Sequence, residues 1–398
     1  MDIAVDAPDE GAVAADGDDP LRQAEARAYR RAGRIRGRFQ LAVMGALAVA
    51  AAFGGRRIAS ALDTPGPLVL DAAAYAWAAI AALWLTGLPF ALLGWRAARR
   101  AGLSRQRLPG WFADQAKSLA ISAVIAPPAL WGVVAALREW PHGWWVPVTT
   151  GSIAVELLFT VVAPVLIVPL FLRSHALPAG ALADDLHALA ARAGVRVKAL
   201  RVLEASAKMS ASNAFVAGIG PTRRIMLFDN LLGDDPETER QMAETRSVLA
   251  HEFGHHASGD LWRLTVASAV ATAIALAAVA AALTRLPDAL AHRGAGAFAM
   301  LPALFGCAAL AQIAAGVALG AYSRRRERAA DAYGVALIGD GEPFARALEN
   351  LCATNLSELR PPRLERWLGA SHPPPYERIA RARSQGKENP TSGANGAL

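Results

Sequence analysis

Two histidines and an acid stand at a spacing that metal-dependent hydrolysis can use: His251-Glu252-Phe253-Gly254-His255. On a helix, residues four apart share a face, so both imidazoles can bind one zinc ion. Glu252 follows the first histidine and can project toward the metal's open position, where it can take a proton from water. Val248, Leu249 and Ala250, just upstream, supply a face for burial. The adjacent His256 points off the ligand face and is not counted as a ligand. A site of this kind needs a third protein ligand and keeps its fourth position for water. Much later, Ser323-Arg324-Arg325-Arg326-Glu327-Arg328-Ala329-Ala330-Asp331 places Glu327 and Asp331 on one helix face. One carboxylate can bind metal, and the other can accept the far N–H of a ligand histidine and fix its tautomer. The competing reading is a juxtamembrane arginine cluster with salt-bridged acids.

These residues must be held by a chain that is 54% hydrophobic over 398 residues. The apolar residues gather into long runs, which points to a membrane protein with an extramembrane part. About six runs have a length suited to crossing a bilayer. They cover 39–58, 68–95, 118–137, 144–172, 262–284 and 297–322. Pro127-Pro128 should kink the third, and Trp144-Trp145 can anchor the fourth at an interface. Residues 1–38 read as a disordered acidic tail followed by a basic segment, and 39–172 as an N-terminal membrane region of about four spans. Residues 173–383 form a catalytic region that includes the last two spans, and 384–398 read as a disordered tail.

The formal charge is +7. Its arginines flank apolar runs, which speaks for membrane orientation and against nucleic-acid binding. The arginine burst in 22–38 and the loop holding Arg96, Arg99, Arg100, Arg105, Arg107 and Lys117 should be cytoplasmic, with Arg56 and Arg57 in weak disagreement. Six crossings then bring 173–260 and 323–398 to the cytoplasmic side together. The two cysteines, Cys307 and Cys352, are far apart, which argues against a disulfide framework and a thiolate metal site. Within 173–260, periodicity predicts a helix over 181–193, strands over 199–204, 213–218 and 223–229, and a helix over 236–259 that could run into the fifth span. Glu156 lies inside the fourth run, where an acid marks either a polar interior or a later start of the span.

The HEFGH string, the later S-R-x-x-E-x-x-A-D string and their placement around two spans resemble the M48 peptidases, and within them the Ste24-type CaaX prenyl proteases. Weaker stretches keep the family's order: Ala101-Gly102-Leu103-Ser104-Arg105-Gln106 with Trp111, Asp114, Gln115 and Lys117; Ser212-Asn213-Ala214-Phe215-Val216-Ala217-Gly218 with Arg224-Ile225-Met226-Leu227-Phe228-Asp229; and Ser371-His372-Pro373-Pro374 with Glu377-Arg378. The resemblance implies an α-helical multi-spanning membrane protein, with about six to seven transmembrane helices and a zincin-like α+β metallopeptidase domain. It implies one Zn2+ on His251, His255 and Glu327, with Asp331 behind a ligand histidine. It also implies Asn213 on an edge strand beside the cleft, His372 at the scissile carbonyl, and Arg378 ordering its segment. The chain departs from the Ste24 pattern at Asp260, where those proteases usually carry histidine, and in its span count.

The expected function is zinc-dependent endoproteolysis of peptides or membrane proteins at the cytoplasmic face, by an enzyme embedded in the cell membrane, with Glu252 as base. The lipid bilayer and the substrates are its expected partners. The alternatives are a catalytically silent scaffold of the same fold and a transporter-like protein. The complete set of ligands and base argues against the first, and the lack of a visible internal repeat against the second.

Overall fold

The computed structural model describes residues 19–62, 66–217, 224–292, 296–368 and 371–388. Six helices among them are long and apolar enough to cross a membrane: Pro20–Phe53 (α1), Leu68–Arg100 (α3), Leu108–Glu139 (α4), Trp145–Phe171, Asp260–Leu283 (α10) and Ala297–Ile338 (α12). The fourth is broken into α5 (Trp145–Val162), a π-helical turn at Ala163–Ile167 and α6 (Val168–Phe171). Short helices α2 (Gly55–Leu62) and α11 (Asp288–Ala291) lie in the connections at the far end. Large apolar side chains such as Leu83, Val124, Ile274 and Leu310 are exposed on the spans, as lipid-facing surfaces require.

The spans pack densely toward one end only. Tyr75, Val134, Trp144, Val279, Phe298 and Leu301 form a buried cluster there, with the Tyr75 and Phe298 rings stacked at 5.8 Å. Toward the other end they leave a cavity of about 660 Å³ between α5, α10 and α12. Glu156 lies in its wall, together with apolar residues of α10 and α12.

The extramembrane part combines a sheet with helices. Strands β1 (Ser174–Ala176), β2 (Ala199–Leu203), β3 (Ala214–Ala217) and β4 (Arg224–Phe228) lie in the order β1-β2-β4-β3. β2 and β4 are parallel, and the outer pairs are antiparallel. The alternation along β4 sets the layers. Ile225 and Leu227 pack with α7 (Ala181–Arg192) and α9 (Glu239–Ala257), whereas Met226 faces the other way with Leu203. The short α8 (Asp229–Leu232) follows β4, and α13 (Gly341–Thr354), α14 (Arg363–Leu368) and α15 (Pro375–Glu388) complete the lobe. The N-terminus of α9 is capped by Thr238, whose side chain accepts from Gln241 N at 3.3 Å.

Several expectations change. The helix over 236–259 does not run into the fifth span: Gly259 takes a left-handed φ of 64° and the chain restarts as α10. The basic segment before residue 39 is helical from Pro20 onward, capped by Asp19 at 3.0 Å from Leu21 N. α12 runs on past 322, the expected end of the sixth run, and carries the string 323–331. The C-terminal helix extends to Glu388, past the expected start of a tail at 384, while 389–398 and 1–18 lie outside the described residues. Arg56, which disagreed with the topology, pairs with Asp288 across the far-end connections at 3.0 Å.

Candidate metal centre

The site is built where α9 meets α12. Gly254, inside the HEFGH string, allows that approach: a Cβ at this position would lie 2.8 Å from the Ala330 Cα and O. The two backbones therefore touch, and Glu327, one turn before Ala330, comes to face both histidines.

The convergence is tight. His255 Nε2 lies 3.2 Å from His251 Nε2. The Glu327 carboxylate lies 3.4 Å from His251 Nε2 and 3.3 Å from His255 Nε2. A tetrahedral zinc centre with bonds of about 2.0–2.1 Å separates its ligand atoms by roughly 3.3 Å, so the donor set suits that ion. His251 and Glu327 are buried and His255 half-buried. Glu327 Oε2 is buried without a well-directed hydrogen bond, although imidazole nitrogens surround its carboxylate. Such a cluster requires a positive charge. Burial pulls the His251 imidazolium down, but bonds to Asp331 and Glu327 outweigh it and push its pKa up to about 9.

Each ligand histidine is held from behind by a carboxylate, and each carboxylate by an arginine. His251 Nδ1 lies 2.9 Å from Asp331 Oδ1. Arg378 of α15 grips Asp331 with both ends, Nε to Oδ2 at 2.8 Å and Nη2 to Oδ1 at 2.7 Å. His255 Nδ1 lies 2.9 Å from Asp260 Oδ2, and Arg326 Nε donates to Asp260 Oδ1. Accepting carboxylates on both Nδ1 atoms leave both Nε2 atoms for the metal. The structure thus places Asp331 and Arg378 behind His251. Asp260 is legible in the sequence only as a departure from a pattern, and Arg326 only as part of a juxtamembrane arginine cluster with salt-bridged acids. The missed signal was Gly259-Asp260: a left-handed turn directly after the ligand helix folds the next acid back toward His255.

Glu252 is half-buried beside the ligands, and burial pushes its carboxyl up from the ordinary range, against the lowering pull of His251 and His255. Glu252, His372 and Asn213 line a second cavity of about 120 Å³ together with His251, Phe344 and Arg378. His372 Nδ1 lies 2.8 Å from Glu327 Oε2, and the ring is 59% exposed. Asn213 immediately precedes β3, an edge strand, and its Oδ1 accepts from Ala214 N at 2.9 Å. The larger cavity between the spans reaches this region, since Ser371 lines it too.

A bundle of membrane helices carrying a His-His-Glu cluster over a small mixed sheet defines a multi-pass membrane metalloendopeptidase. The chain belongs to peptidase family M48, whose family model matches residues 176–385, more than half its length. Residues 39–173 match the model described as CAAX prenyl protease N-terminal, five membrane helices. Among relatives, "Uncharacterized metalloprotease YhfN" of Bacillus subtilis (strain 168) is 27% identical over 308 residues, covering 76% of this chain and 70% of that one. "CAAX prenyl protease 1 homolog" of Arabidopsis thaliana is 27% identical over 304 residues, covering 74% and 69%. The crystal structure of S. mikatae Ste24p superposes with a TM-score of 0.77 at 22% identity, over 91% of this chain and 88% of that one. That likeness concerns the fold: the same arrangement of spans and peptidase lobe.

Proposed function

We propose that this chain is a zinc-dependent endopeptidase that cleaves peptides or membrane proteins at the cytoplasmic face of the cell membrane, using Glu252 as its general base. The observation that carries the reading is the convergence of His251 Nε2, His255 Nε2 and the Glu327 carboxylate within 3.2–3.4 Å, with Glu252 beside them.

His251, His255 and Glu327 would hold the ion. Zinc, when bound, supplies a Lewis acid that makes a water acidic near neutral pH and draws negative charge from a carbonyl. Glu252 takes a proton from the attacking water and passes it to the leaving amine. Its burial, which raises the carboxyl's pKa, makes it a stronger base than an exposed glutamate. With Nδ1 of His372 held at Glu327, its Nε2 is the ring atom left to face the carbonyl oxygen, and it donates there when the ring carries both protons. An extended peptide can add to the free edge of β3, where the Asn213 amide is within reach of its backbone. Asp331 and Asp260 keep the ligand histidines in the metal-binding tautomer.

The cytoplasmic placement is supported by the basic segments. The arginine-rich start of α1 and the α3–α4 loop both touch the peptidase lobe: Arg34 pairs with Glu358 at 2.8 Å, and Arg105 N donates to Lys208 O at 2.9 Å. Lobe and positive charge thus share one end of the spans, the end the positive-inside rule assigns to the cytoplasm. The cavity between the spans, continuous with the Ser371 segment, favours substrates that lie partly within the bilayer.

The test is Glu252→Gln in the purified full chain. The variant is expected to bind zinc stoichiometrically and to lose cleavage of a fluorogenic peptide. Undiminished cleavage would remove Glu252 from the mechanism, and a wild-type protein that neither binds zinc nor cleaves would sink the whole reading.

A further inference from the structure

The two family matches begin at residues 39 and 176, so the first nineteen helical residues of α1, 20–38, stand outside both. This stretch is nevertheless docked. Arg22 donates from Nε and Nη2 to Ala353 O at 3.2 and 3.0 Å. Gln23 is buried and makes a two-way bond with the backbone: its Nε2 donates to Ser357 O at 3.3 Å, and its Oε1 accepts from Leu359 N at 3.0 Å. Ala26, one turn on, is 1% exposed. Arg34 Nη1 then donates to Glu358 Oε1 at 2.8 Å and to Glu365 Oε2 at 2.9 Å.

The partners of these residues form one continuous stretch. It runs from the end of α13 through 355–362 to α14, the helix that leads into Ser371-His372. Leu356 in this stretch has a left-handed φ of 48°, a conformation that needs support from its surroundings. α14 itself has no fully buried side chain among its described residues, and its Leu364 and Trp367 are exposed. α14 packs against α12, and with little of its own surface buried its polar ties matter to its placement. For α14 those are Arg34 to Glu365 and Arg366 Nη1 to Tyr376 Oη at 3.2 Å. The first anchors it to a membrane span, and the second to the start of α15.

We propose that the cytoplasmic half of α1 is a brace that fixes the 353–368 stretch, which precedes the Ser371-His372 segment, against the membrane bundle, with Arg34 as the positioning residue that sets where His372 stands over the cleft. The proposal rests on the reading of His372 given above. Arg34 touches neither ligands nor substrate, so its effect passes through α14. Glu358 has a side chain only 5% accessible, so losing Arg34 leaves a buried carboxylate without this partner. Both bonds of Arg34 come from a single nitrogen, which means an ammonium can replace much of what the guanidinium does.

The experiment uses the full-length zinc-loaded protein, a fluorogenic peptide and amide hydrogen exchange. Arg34→Ala is expected to lower kcat about tenfold, as a small misplacement of a reacting group does, with KM within about twofold. It should also speed exchange at 363–368, while exchange in α9 stays unchanged. Arg34→Lys should restore most of both readouts. If Arg34→Ala does not fold, Arg34→Glu combined with Glu365→Arg should recover kcat relative to Arg34→Glu alone. Wild-type kcat and exchange in Arg34→Ala, or a loss that neither the lysine nor the charge exchange repairs, overturns the brace. His372→Ala separates the two ideas. If it leaves kcat intact, the role of His372 fails, while the α14 exchange readout still decides whether the brace exists.

Discussion

The two histidines of the candidate metal centre are supported by two chains of the same chemistry and different construction. Behind His251 stand Asp331 and Arg378, contributed by the cytoplasmic end of α12 and by α15 of the peptidase lobe. Both of Asp331's oxygens are gripped by the arginine fork, at 2.7 and 2.8 Å. Behind His255 stand Asp260 and Arg326, contributed by the first residue of one membrane span and the continuation of another. Asp260 divides its oxygens, one for the histidine and one for a single Nε. The first chain ties the metal centre to the lobe that carries His372. The second ties it to the membrane helices. A multi-pass protease thus holds its ligands by both of its parts, and the two supports should fail differently.

The largest effect on zinc and cleavage should come from a change that strikes both supports. Gly254→Ala adds a methyl 2.8 Å from the Ala330 backbone, so α9 and α12 must separate. Overpacking of this kind costs about 1–3 kcal/mol or more, and zinc content and cleavage should be lost together; retention of both would show that the two helices can yield. Next stands Asp331→Ala, which leaves Arg378 without its carboxylate. Breaking such a pair costs about 3–5 kcal/mol, and losing the histidine's partner should weaken zinc by roughly 10–100-fold. Thermal unfolding and competition with a chelator measure the two separately.

Asp260→Asn should weaken zinc by a comparable factor of roughly 10–100 but lower the melting temperature less, since the span ends remain held by the bundle. Equal losses of stability at Asp331 and Asp260 would erase the distinction between the supports. The smallest effects belong to the arginines. Arg378→Lys should cost more zinc affinity than Arg326→Lys, because a lysine cannot reproduce the two-pronged bond but can replace a single one. The reverse order would break the comparison.

The difference between the supports also explains what could be read in advance. His251, Glu252 and His255 are visible because one helical turn brings them together, and helical geometry is local. Glu327 and Asp331 are visible as a pair for the same reason. That Glu327 is the residue facing both histidines depends on Gly254 letting two backbones touch. The spans announce themselves through unbroken apolar length, and β2, β3 and β4 through short apolar runs. β1, only three residues long, carries no such pattern.

Sequence alone therefore determined the HEFGH string, the membrane spans and the family, because each rests on local periodicity or on motif order along the chain. Tertiary structure alone decided that Asp260 turns back to His255 through the left-handed Gly259, that Arg326 serves a carboxylate rather than only a membrane surface, and that α1 docks on the stretch before His372. Those contacts join residues as far apart as Arg34 and Glu365. Whether such residues meet is set by how helices pack in three dimensions, and no spacing along the chain encodes it.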